Sequence, residues 1–192
     1  MADSSYNVKK MIILALFLAI GIALYVIEFL YLPMFSVPGV KLGLANIVTL
    51  ILVVFFSWKD CIFNAIARTL IGSIITGVFL TPAFIFSLGG ALVSTVVMLI
   101  TYKMFYGKFS LVGVSVAGAT SHNITQLILA VTLFIKHWGV ILQVPVLILA
   151  AVITGTLNGI IANLFVKKAV SIPEFSKTRV ATINLRGTDG NI

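Results

Sequence analysis

Apolar residues run along this chain in six long stretches, and polar residues collect in the short breaks between them. The stretches are Met11 to Leu32, Gly43 to Ser57, Cys61 to Leu80, Pro82 to Thr101, Ser110 to Ile135 and Gly139 to Val166. Crossing the hydrocarbon core of a bilayer takes about 20 predominantly apolar residues in a helix. The second stretch is short for that purpose and the sixth is long enough to tilt or bend. The breaks carry turn chemistry. Pro33 and Pro38 frame a loop ending in Gly39, "SWKD" (57–60) reads as a tight polar turn, and Pro82 sets a helix boundary at Thr81. "YKMFYGK" (102–108) is basic and aromatic, as interfacial loops are. Lipid-exposed irregular backbone is disfavoured, so short-looped apolar segments predict an all-α bundle of six transmembrane helices.

Composition agrees with the pattern. Of 192 residues, 60% are hydrophobic and 9% charged, against about 25% charged in soluble domains. A chain so poor in charge would have too little polar surface to fold in water. The organisation expected is a short N-terminal segment (1–10), one transmembrane domain (11–168) and a polar tail (169–192) whose last residues, "RGTDGN", read as disordered. The first apolar stretch is too long for a signal-peptide core and reads as a retained helix. The single cysteine, Cys61, excludes an internal disulfide.

Charge then orients the bundle. Alternating the six helices puts Lys9, Lys10, Lys59, Lys103, Lys108, Lys167, Lys168, Lys177, Arg179 and Arg186 on one side, and Lys41 and Lys136 on the other. The positive-inside rule makes the first side cytoplasmic and predicts a multi-pass plasma-membrane protein with both termini inside. The net charge of +8 is thereby topological, with some attraction to anionic lipid, and is no sign of a nucleic-acid partner.

Against this background the intramembrane polar residues stand out, because an ionisable side chain in a span is costly and marks function by default. Arg68 lies within the third stretch. The one carboxylate inside a span, Glu28, sits near the outer end of the first; at about 1.5 Å per residue the two are expected to differ in height by roughly 10–15 Å. In "SHNITQ" (121–126), His122 and Gln126 are four apart and share a helix face, with Asn123 beside them. Several polar side chains within two turns exceed what helix–helix hydrogen bonding requires and suggest a polar cavity. Asn158 and Asn163 read as packing amides. "KLGLANIVTL" (41–50) places Lys41 and Gly43 at the outward start of the second helix, with Asn46 just beyond. Free N–H groups and the positive helix end suit an anionic group there, while a snorkelling Lys41 beside a plain turn is the simpler alternative. Small residues recur every four positions at Ala15, Ala19 and Ala23, and again at Ala151, Gly155 and Gly159. Such rows let helices approach closely, either inside the bundle or against a partner.

"KLGLANIVTL", "R-x-x-x-G-S" in the third stretch with the following "FSLGGALVS", and "HNITQL" in the fifth together resemble the bacterial membrane family labelled heptaprenyl diphosphate synthase component I, also called Gx transporter. The resemblance covers about residues 10–168. That family in turn resembles the substrate-binding S components of energy-coupling factor transporters. It implies six helices, capture of a small molecule from outside, and docking of a coupling subunit on the Ala15, Ala19 and Ala23 row, with an ATPase pair beyond it. The substrate-binding residues expected are Lys41, Asn46, Arg68, His122, Asn123 and Gln126. The chain has no phosphate-binding loop of its own for ATP. The alternative suggested by the label is a non-catalytic membrane subunit beside polyprenyl diphosphate or quinone synthesis. Catalysis by this chain is not expected: polyprenyl diphosphate chemistry needs magnesium on clustered aspartates, and Asp3, Asp60 and Asp189 are scattered. No metal ligand set and no cofactor are expected.

Overall fold

The computed structural model describes residues 2–31, 43–105, 110–135, 142, 144–172 and 175. It contains six α-helices: α1 (Ala2–Tyr31), α2 (Asn46–Phe55), α3 (Trp58–Ile75), α4 (Pro82–Met104), α5 (Leu111–Leu129) and α6 (Val144–Ala169), with a π-helical turn, Ala130–Ile135, extending α5. Among the described residues there is no strand. Lys41, Lys136 and the basic tail residues Lys177, Arg179 and Arg186 lie outside the described residues.

Among the described residues three segments are long and apolar enough to cross a membrane: Asn7–Tyr31, Pro82–Met104 and Val144–Ala169. Their apolar surface and the chain's poverty in charge make this a membrane protein. The second stretch was expected as a spanning helix. Instead α2 has 10 residues, about 15 Å of helix, which is half the thickness of the hydrocarbon core. It is short because its position is central. It packs against all five other helices, and every residue of it except Ile47 is buried. The outer helices surround it in the order α1, α3, α4, α5, α6. A helix that is apolar all round belongs in the middle of a bundle, and "IVTLILVVF" leaves no polar face for anything else.

The two small-residue rows have opposite fates. Ala151, Gly155 and Gly159 are buried. A Cβ at Gly155 would come within 2.7 Å of the Val116 Cα, and one at Gly159 within 2.5 Å of the Val112 Cα. This row brings the α5 and α6 backbones together. Ala15, Ala19 and Ala23 are exposed on the outer face of α1, so internal packing does not account for them.

At the end of the bundle where α2 passes into α3, aromatic rings close the core. Phe17 of α1 meets Phe56 edge-on at 6.4 Å and Phe165 of α6 at 5.9 Å. Phe175 lies in the segment expected to be a polar tail, and it packs against Phe55 at 5.0 Å and against Phe17 and Phe165 at 6.3 Å each. Burial of a large ring outweighs the polarity of its neighbours. At the same end Ser57 and Asp60 form a capping box at the start of α3, and Asp60 accepts a 2.7 Å ion pair from Lys10 of α1.

Burial raises the Asp60 carboxyl, but the Lys10 and Ser57 hydrogen bonds outweigh it and hold the group below the ordinary carboxylate value. Its stabilisation is therefore present above about pH 4, the unfolded value, and lost as pH falls through the lower folded one. We expect the thermal stability gap between the wild type and Asp60→Asn to close as pH is lowered from 6 to 3. Lys10→Met should cost less than about 1 kcal/mol, as half-exposed pairs do. A gap independent of pH would show that the carboxylate's charge is irrelevant.

Candidate functional site

The site grows from the turn that precedes α2. Gly43 takes a left-handed conformation, φ 68°, which an L side chain adopts only at a cost. It swings the chain into α2, whose cap position is Ala45, a residue with no capping side chain. The backbone groups of this turn are buried and need partners from elsewhere, and three helices supply them.

Glu28 of α1 accepts from the Gly43 N–H at 2.5 Å and the Leu44 N–H at 3.1 Å, one to each carboxylate oxygen. Asn158 of α6 donates to the Gly43 carbonyl at 3.0 Å. Arg68 of α3 donates through Nη1 to the Ala45 carbonyl and, at 3.1 Å, to Thr49 Oγ1. Arg68 is 2% exposed and Glu28 8%, so both charges are committed to the interior. The sixth-helix amide read as packing is thus a specific anchor for the turn.

Arg68 and Glu28 were expected at different heights, but they line one cavity together and interact electrostatically across it. The reason is where the helices end. The third stretch was expected to reach Leu80, whereas α3 stops at Ile75 and the chain turns at Gly77. Arg68 therefore lies past the middle of its helix, nearer the Ile75 end. Gly21 of α1 leaves room for its stem, since a Cβ there would come within 2.9 Å of Arg68 Cδ.

The cavity is lined by Tyr25, Glu28, Gly43, Ala45, Asn46, Arg68, Thr69, Ser87, Ala91 and His122. Five helices or their leading turns contribute, and seven of the ten lining residues carry polar side chains within an apolar bundle. The space open to water-sized spheres is about 20 Å³, enough for one or two water molecules. Ligand pockets for small organic molecules are about 300–1,000 Å³, so in this conformation the site is too small to hold one.

Of the residues expected to bind substrate, Asn46, Arg68 and His122 line the cavity. Lys41 lies outside the described residues. Asn123 is buried but turned away, donating to the Leu147 carbonyl of α6 at 3.1 Å. Gln126 shares the buried face with His122 as its spacing required, and both pack over Gly90 of α4. It is not among the lining residues, and its Nε2 is buried without a partner. Sequence reasoning missed Tyr25, Thr69 and Ser87 as lining groups. Tyr25 and Glu28, three apart on α1, share a face, and that pairing was the available signal. Gly72 admits the Tyr25 ring, which a Cβ there would meet at 2.5 Å. Ser87 and Thr69 gave none, since hydroxyls in spans commonly satisfy themselves on their own helix, as Thr69 does on the Ala65 carbonyl.

Among the described residues no group of histidine, cysteine and carboxylate side chains is arranged to hold a metal ion. The arrangement instead offers buried hydrogen-bond donors beside a positive helix end.

Residues 17–165 match the family described as heptaprenyl diphosphate synthase component I. The chain belongs to that family. No curated protein and no solved structure matches it. The family match takes in every described cavity residue and most of α6, so the cavity belongs to the part of the chain that defines the family.

Proposed function

We propose that this family member is the substrate-binding subunit of an energy-coupling-factor-type importer, capturing a small anionic or amphipathic molecule from outside. The observation carrying this reading is the convergence of Arg68, His122, Asn46 and Tyr25 on one cavity at the α2 N-terminus. Charged and amide side chains at membrane depth are costly unless a ligand or pathway needs them. Lys41, Asn123 and Gln126 complete the proposed binding set, with Gln126 beside His122 over Gly90 and Asn123 as support through α6. The proposed bundle lies in the plasma membrane with both termini in the cytoplasm, so the α2 turn faces outward.

The exposed Ala15, Ala19 and Ala23 row supports the second half of the reading. Small residues on a lipid-facing surface gain nothing from lipid but admit another helix closely. The proposed occupant is the transmembrane coupling subunit, which carries the ATPase pair.

The family description favours a second reading, in which the chain is a non-catalytic membrane subunit of polyprenyl diphosphate synthesis. One experiment separates the two. Ala19→Trp is introduced, and the tagged chain is recovered from membranes and weighed by native mass spectrometry. For an importer, the wild type carries a coupling subunit with two ATPases. The tryptophan variant loses them and loses uptake, while small-molecule binding by the isolated chain stays within about twofold. Recovery of a soluble prenyl-transferring subunit with both forms would favour the second reading. Equal loss of small-molecule binding in Ala19→Trp would put the alanine row in the binding core and remove the docking surface.

A further inference from the structure

The turn that leads into α2 is already occupied by a carboxylate from the same chain. Glu28 spends both oxygens on the Gly43 and Leu44 N–H groups, at 2.5 and 3.1 Å. Successive backbone N–H groups of a turn hold a ligand's oxyanion in the same way. Beside it Arg68 has spent Nη1 on Ala45 and Thr49, while its Nε is buried with no hydrogen-bond partner. A buried guanidinium N–H without a hydrogen-bond partner, on a side chain that lines the cavity, is an uncommitted donor, and such groups are rare unless something is to meet them. The cavity between Arg68 and Glu28, about 20 Å³, has no room for a second anionic group while Glu28 stays in place.

We infer that Glu28 is an internal stand-in for the ligand: an incoming oxyanion displaces its carboxylate from the Gly43 and Leu44 amides, takes those two donors together with Arg68 Nε, and so opens the site. This rests on the reading of the cavity as an anion-capturing site and adds the device that regulates it. Displacement conserves the hydrogen-bond inventory, since the arriving oxyanion accepts what the carboxylate gives up. The displaced Glu28 carboxylate turns to the other polar groups of the cavity wall, among them Asn46 and Tyr25. Selectivity follows as well. A neutral molecule cannot replace a carboxylate at these amides, so it leaves the latch shut.

The sequence permits a direct test, because Glu28 and Glu174 are its only glutamates. In a Glu174→Gln background with carboxyl-13C-glutamate, the labelled carboxylate stretch reports Glu28 alone. The protein is placed in nanodiscs and titrated with inorganic diphosphate. The labelled band should shift as diphosphate saturates, and Glu28→Gln, which binds the amides less well than an anion does, should take diphosphate about tenfold more tightly. A band unmoved at saturation, or diphosphate bound by Glu28→Gln no more tightly than by the wild type, makes Glu28 a fixed structural cap and overturns the inference while leaving anion capture intact. Absence of diphosphate binding in both proteins overturns anion capture and the latch together.

Discussion

Arg68→Ala is expected to be the most damaging single substitution in the site, lowering unfolding stability by roughly 3–5 kcal/mol, the range for breaking a buried charge network. Three losses act together. The Ala45 carbonyl and Thr49 hydroxyl lose their shared donor, Glu28 loses the positive charge across the cavity, and a void opens where the stem passed Gly21. An unpaired buried carbonyl alone costs about 1–3 kcal/mol. The α2 turn is the point where these meet, so the damage should concentrate there, with hydrogen exchange accelerating at residues 43–46 before it does in α5 or α6. Arg68→Lys keeps a charge but presents a single ammonium in place of a planar fork. It should recover part of the stability, holding the Ala45 carbonyl or Thr49 but not both. Binding of an anionic ligand should fall by about tenfold or more in either variant, because a charged hydrogen bond is worth roughly 1.5–3 kcal/mol. Guanidinium unfolding in detergent, with circular dichroism as readout, checks the stability claim. A loss under about 1 kcal/mol for Arg68→Ala would mean that water replaces the guanidinium without penalty and that the turn does not depend on it.

How much of this was legible beforehand follows from which physics is local. The helices were legible because 20-residue apolar runs have few other fates in a membrane protein, and Ser57, Pro82 and Ser110 mark helix starts by side-chain chemistry alone. The length of α2 was not legible. Its apolar run looks like a span, and only its central position, packed against five neighbours, explains why 10 residues suffice. The same limit applies to the site. The i, i+4 spacing correctly put His122 and Gln126 on one buried face. Nothing local said that Asn123, one residue on, would turn to Leu147 instead. Height estimates failed for Arg68 and Glu28 because they assumed helices of the expected length, and α3 ends five residues sooner. Glu28 itself was recognised as the lone carboxylate in a span. Its partners are backbone N–H groups, which no residue pattern reveals.

The α6 row offers the second large effect, and here two opposing terms decide the sign. Replacing glycine by alanine in an exposed helix interior stabilises by about 1 kcal/mol through propensity. At Gly159 the added Cβ would sit 2.5 Å from the Val112 Cα and 3.1 Å from its nitrogen. Both are backbone atoms of α5, so no rotamer change relieves the contact. The helices must separate, and α5 and α6 form the most extensive helix pair in the bundle. Overpacking of this kind costs typically 1–3 kcal/mol, which should outweigh the propensity gain for alanine. For Gly159→Leu the cost should be large enough to prevent recovery of folded protein. Separation would also pull Asn158 from the Gly43 carbonyl and Asn123 from the Leu147 carbonyl, at 3.0 and 3.1 Å in the packed state. The defect should therefore reach the α2 turn, and ligand affinity should fall in Gly159→Ala although Gly159 touches no cavity residue. The matching control is Ala23→Leu on the exposed face of α1, which should leave the stability of the isolated chain within about 0.5 kcal/mol, as surface changes do. Both variants are compared by denaturant unfolding in the same detergent. A Gly159→Ala protein as stable as the wild type would mean that α5 and α6 slide apart freely. The closeness of their backbones would then not be what holds Asn158 against the turn.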